Sequence, residues 1–113
     1  MRLFDVVRVF VSAAAWRATG LRSPGRALVR ALASKDENVR MIAGMFLVKA
    51  GKRSEPLLQE ALERRESLPI VLTILADIGD RKFEQELQQF CEDEDPRVAR
   101  AAKEALRVLI AHH

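Results

Sequence analysis

A small residue, a large apolar residue and a glycine, each four positions after the last, recur along this chain with a period near 30. Ala43, Leu47 and Gly51 form the clearest copy. Val71, Leu75 and Gly79 repeat it 28 positions on, and Ala102 and Leu106 repeat it after another 31, with Ile110 where glycine would fall. Going back by 31 gives Ser12, Trp16 and Gly20. A second series lies between these copies. Leu28 and Leu32 match Leu58 and Leu62 at a spacing of 30, and Phe90 matches Leu62 at 28. Positions i and i+4 share one stripe of a helix. Two alternating kinds of amphipathic helix per 30 residues therefore predict an all-α chain built as an α-solenoid.

Turn and cap residues divide the chain accordingly. Pro24, Pro56, Pro69 and Pro96 each precede an apolar-periodic segment, where proline suits a first helical turn. Gly20, Gly51 and Gly79 follow such segments, where a left-handed cap is wanted. Asp36 and Asp95 read as N-caps. Together these signals predict about seven helices near 2–18, 24–33, 37–50, 55–65, 68–78, 81–91 and 96–111. No segment alternates long enough to be a strand. At 113 residues, with 49 % hydrophobic residues, the chain suits one small domain with its own core. Its single Cys91 excludes an internal disulfide framework, and the acidic residues after it do not favour a reactive thiolate.

Asp36-Glu37-Asn38-Val39-Arg40, followed by Ala43, Leu47 and Gly51, resembles the short HEAT-like repeat of the type first noted in phycocyanobilin lyases. Asp95-Pro96-Arg97-Val98, followed by Ala101, Ala102, Ala105 and Leu106, resembles a second copy. Ser67 to Gly79 keeps only the apolar spacing and the glycine, and Val7-Arg8 to Gly20 keeps less. The resemblance covers about 24–111 and extends to 1–23 by extrapolation. It implies a right-handed stack of antiparallel helix pairs, roughly three and a half repeats, and a protein-binding role. It also implies that the second helix of each pair lines a concave binding surface. The His-Glu pairs of the HEAT-like metal-dependent hydroxylases are absent, and nothing supports a bilin site.

Charge is distributed unevenly. Residues 1–53 hold eleven Lys or Arg against three Asp or Glu, and residues 54–113 hold eight against thirteen. The net +3 is thus +8 followed by −5. Arg22, Arg26 and Arg30 are four apart and share one helix face. The corresponding positions of later second helices are Glu55, Gln59 and Glu63, then Glu84, Gln88 and Glu92. A groove basic at one end and acidic at the other suits a polypeptide of mixed charge. Binding of nucleic acid or another polyanion by the basic N-terminal half is the alternative; it fits less well, because phosphate tracking wants continuous positive charge and stacking wants aromatics.

Residues placed to carry chemistry are few. His112 and His113 are the only histidines and end the chain, far from the serines. No pair of glycines is placed to cradle a phosphate, and Glu92 to Asp95 read as a solvated acidic turn. The expected protein is therefore a non-catalytic, cytoplasmic interaction scaffold with no cofactor and no metal. The first helix is its unusual part. Leu3, Phe4, Val6, Val7, Val9, Phe10, Val11 and Trp16 cover most of its circumference, leaving a narrow stripe of Arg2, Asp5, Arg8 and Ser12. Its uncharged run, Val9 to Trp16, is too short to span a bilayer, and Arg8 interrupts the stretch a signal peptide needs. Phe4, Phe10 and Trp16 become candidates for a homodimer or partner surface. Adsorption of this helix to an anionic membrane surface is a further alternative.

Overall fold

A computed structural model describes the backbone of residues 3–19 and 22–111, and the side chains of residues 5–16 and 24–111. The helices are α1 (Leu3–Thr19), α2 (Arg22–Ala31), α3 (Glu37–Ala50), α4 (Glu55–Arg64), α5 (Leu68–Ile78), α6 (Glu84–Phe90) and α7 (Pro96–Ala111). Short 3-10 turns, Gly51–Ser54 and Arg81–Phe83, lead into α4 and α6. No strand occurs among the described residues. The helix ends fall within three residues of those read from the sequence, and the largest difference is at α6. There the Asp80 carboxylate accepts from the Lys82 N–H at 3.0 Å, and the chain makes one tight turn before α6 begins.

The start and stop signals act as their chemistry requires. Pro96 opens α7, Pro56 and Pro69 are the second residues of α4 and α5, and Pro24 is the third of α2. All four sit where no intrahelical N–H is needed. Asp36 caps α3 by accepting from the Asn38 N–H at 2.9 Å. Gly51 (φ 58°, ψ −124°) and Gly79 (φ 83°, ψ 20°) both take positive φ, which costs glycine little. Only Gly79 is the left-handed cap expected of both. After Gly51 the Ser54 hydroxyl, fully buried, lies 2.8 Å from the Leu47 carbonyl and 2.7 Å from the Gly51 carbonyl, serving the end of α3. Gly20 lies outside the described residues.

The chain divides into two compact units, Met1–Glu60 and Ala61–His113. In the first, α1 packs on α2 and α3, and α2 packs on α3. Val9, Ala13 and Trp16 of α1 are buried, as are Leu28, Val29 and Leu32 of α2 and Val39, Ala43 and Leu47 of α3. Each helix thus buries residues at i, i+4 and i+7 or a close variant. Gly25 permits a close approach: a Cβ there would stand 2.7 Å from Leu57 Cδ1 and 3.3 Å from Trp16 Nε1.

In the second unit α7 packs on α5 and α6. The core comprises Val71, Leu72, Leu75, Phe83, Leu87 and the α7 stripe Val98, Ala102, Ala105 and Leu109. The register of α7 departs from the repeat pattern. Leu106, which holds the large apolar position of the repeat, is half-buried, and Leu109 is fully buried instead. The 4-3-4 spacing from Val98 to Leu109 tracks one face closely, and Leu106 falls at its edge. Arg97, Arg100, Lys103, Glu104 and Arg107 are exposed and give α7 a polar outer face.

The turn joining α4 to α5 uses two residues with positive φ, Arg65 (φ 56°) and Ser67 (φ 48°). The Glu66 N–H donates to the Ala61 carbonyl and the Arg65 N–H to the Leu62 carbonyl, the paired bonds that close a helix with a left-handed residue. Glycine is the usual occupant; here the Arg65 guanidinium also holds both Asp93 oxygens, at 2.9 and 3.0 Å.

Two outcomes follow. Leu47→Ala empties a fully buried position and should lower stability by about 2–5 kcal/mol, read as a shift of the urea midpoint followed by circular dichroism. At α7, the Arg97 N–H, and then its guanidinium, hold the Asp95 carboxyl below the usual aspartate range. A lowered native value means stabilisation that is complete above the ordinary value of about 3.9 and is lost as pH falls through the native one. Asp95→Asn keeps an acceptor but cannot ionise, so it should lose less stability than the parent between pH of about 6 and about 3.

Candidate interaction surface

The first unit exposes more apolar surface than its core requires. Val7, Phe10 and Val11 of α1 are each at least half exposed, and so are Met41 and Met45 of α3. The α1 residues sit at i, i+3 and i+4, and Met41 and Met45 at i and i+4, so each group forms a stripe. Phe10 and Phe46 join them: their rings meet edge to face at 5.4 Å and 87°. Exposed apolar side chains on two packed helices, with an aromatic pair joining the helices, are of the kind that marks interaction sites.

A cleft of about 220 Å³ is lined by Ala13 and Trp16 of α1, by Phe46, Lys49 and Ala50 of α3, and by Arg53. The Arg53 guanidinium stands 5.6 Å from the Trp16 ring centre and donates to the Trp16 carbonyl at 3.4 Å. A second cleft, of about 330 Å³, is lined by Asp5, Arg8, Val9, Ser12, Ala27, Arg30, Ala31, Ser34 and Val39.

The candidate partner surface of Phe4, Phe10 and Trp16 is therefore only partly found. Phe10 is on the exposed face. Trp16 is not: it is 5 % exposed, because it lies on the same stripe as the buried Val9 and Ala13. The side chain of Phe4 lies outside the described residues. Met41 and Met45 were missed, although their i, i+4 spacing beside the Val39, Ala43 and Leu47 stripe marked α3 as apolar on more than one side.

The basic stripe is also altered. Arg30 is exposed and borders the second cleft. Arg26 is engaged, its guanidinium meeting Glu60 of α4 at 2.9 Å, with its Nε buried. The side chain of Arg22 lies outside the described residues. Of the acidic counterpart, Glu55 is buried, Gln59 half-buried and Glu63 exposed; Glu60, which sequence spacing passed over, is the residue that meets the stripe. In the second unit Glu84 pairs with Arg81 in the turn before α6, and Gln88 is exposed.

The acidic run after α6 is structural in part. Asp93 is held by Arg65 and accepts from the Asp95 N–H at 3.0 Å, and Asp95 accepts from the Arg97 N–H at 2.9 Å. No cluster of three metal-ligating side chains occurs among the described residues. His112 and His113 lie outside them. No helix among the described residues is long and apolar enough to cross a membrane. No family model, curated protein or solved structure matches the chain.

The Arg26–Glu60 pair lies at a half-exposed site, so its coupling should be about 0.2–1 kcal/mol. A double-mutant cycle with Arg26→Gln and Glu60→Gln checks this, and the coupling should shrink at high salt.

Proposed function

We propose that this chain is a non-catalytic protein-interaction module of HEAT-like repeats that docks a partner through the apolar face of α1 and α3. The observation carrying this reading is the exposure of Val7, Phe10, Val11, Met41 and Met45 on helices that already bury a full stripe elsewhere. Core packing explains Val9, Ala13, Trp16, Val39, Ala43 and Leu47 but requires none of those five. The repeat reading is supported by the recurring small-large spacing at 43/47 and 71/75, where all four side chains are buried, and by the left-handed cap at Gly79. A concave basic grip through Arg22, Arg26 and Arg30 is less well supported, since Glu60 occupies Arg26. The same pairing interrupts the continuous positive track that nucleic acid would want.

Met45→Asp and Val11→Asp place a charge on the face without touching the core. Both should leave the circular dichroism spectrum and urea midpoint near those of the parent. Both should abolish fluorescence enhancement of a hydrophobic dye and weaken a purified partner at least tenfold by calorimetry. Arg100→Glu, on the exposed face of α7, is the control and should bind as the parent does. Undiminished partner binding by both aspartate variants would remove the reading.

A further inference from the structure

The reading of the α1–α3 face as a docking surface leaves open what docks, and the charge and shape around it narrow the choice. Among the described residues, the exposed charged side chains of the first unit are nearly all cations: Arg8, Arg30, Lys35, Lys49, Lys52 and Arg53, against Glu37. Among the described residues Lys49 and Arg53 pair with no carboxylate, and both line the cleft beside the patch. A second copy would set the same cations against each other across a two-fold contact, where like charges are costly. An acidic partner would not.

Shape narrows the choice further. The cleft of about 220 Å³ is hollow because Ala13 and Ala50 are small, while Trp16 and Phe46 supply its apolar lining. That volume is below the range of about 300–1,000 Å³ for small-molecule pockets and suits one large side chain. The patch beside it, striped on two neighbouring helices, is the kind of surface on which a third amphipathic helix seats its own i, i+3, i+4 and i+7 residues. A bilayer presents no protruding anchor to a recessed cleft. It takes up the crest of an apolar face instead.

We propose that the occupant is an amphipathic helix of a partner protein with acidic flanks. One bulky apolar side chain would enter the cleft between Trp16 and Phe46. Its neighbouring carboxylates would pair with Lys49 and Arg53, and the rest of its apolar face would cover Phe10 and Met45. This assignment rests on the docking reading above but adds a charge requirement that the reading lacks.

The test uses the full chain and a displayed library of 18-residue amphipathic peptides, with apolar positions at helical spacing and flanking positions randomised. The recovered peptides should be rich in Asp and Glu at the flanks. A recovered peptide, labelled and followed by fluorescence anisotropy, should bind Lys49→Glu at least tenfold more weakly than the parent. Its Lys-flanked counterpart should show the reverse order. Ala50→Phe, which fills the cleft, should also lose at least tenfold. Recovery of basic or uncharged flanks, or unchanged binding by Lys49→Glu, overturns the acidic-helix assignment. If Met45→Asp still abolishes that binding, the docking face itself stands. Binding indifferent to Met45→Asp as well removes the face. Flotation with phosphatidylglycerol vesicles, in place of any peptide recovery, assigns the face to a membrane surface and overturns the proposal.

Discussion

Helices of 7 to 17 residues do not persist alone in water, because nucleation costs more than so few turns return. Each helix of this chain is held by the apolar stripe it lays against its neighbours. The buried positions Ala43 and Leu47 in α3, Val71 and Leu75 in α5, and Ala102 and Leu109 in α7 serve that end. Small residues set how closely the backbones approach and large ones fill the space between. Gly25 takes this furthest, since even a methyl group there would meet Leu57 and the Trp16 ring. Caps and turns then only have to end each helix where its stripe ends. Asp36 and Asp95 mark the starts of α3 and α7, and Asp80 the start of the turn before α6, each by accepting from the N–H two residues on.

Charge has a different distribution and a different job. Much of it is used locally. Arg26 meets Glu60, Arg65 meets Asp93, Arg81 meets Glu84 and Arg107 meets Glu104. Exposed pairs of this sort contribute little to stability, because water and salt screen them. The Arg65–Asp93 pair has a positional role as well, because Arg65 occupies a left-handed turn position that glycine would take more easily. The excess of cations in the first unit remains after this pairing. It lies beside the exposed apolar side chains of α1 and α3, and the two properties together define the candidate surface.

The surface follows from a mismatch between composition and packing. α1 is apolar around most of its circumference, yet among its described side chains the buried apolar ones are Val9, Ala13 and Trp16. α3 repeats the situation, with Val39, Ala43 and Leu47 buried and Met41 and Met45 left in water. Water-facing apolar residues scattered singly need no explanation, but two adjoining stripes bridged by Phe10 and Phe46 do. Methionine, flexible and polarisable, suits a surface that must accommodate a partner.

The amino-acid sequence by itself determined most helix ends to within two residues, α6 excepted, because proline, glycine and aspartate act through backbone geometry that needs no tertiary partner. It also determined the buried stripes of α3 and α5, because the 3.6-residue period fixes which positions share a face. It placed the surplus of apolar surface on α1. Only the tertiary structure decided that Trp16 belongs to the core while Phe10 faces outward, since both lie on a helix apolar nearly all round and only the side taken by α2 and α3 separates them. It likewise decided that Arg26 is bound by Glu60, a residue 34 positions away on another helix. Leu109 rather than Leu106 fills the α7 core for the same reason: period gives the candidate positions, and the packed neighbours choose among them.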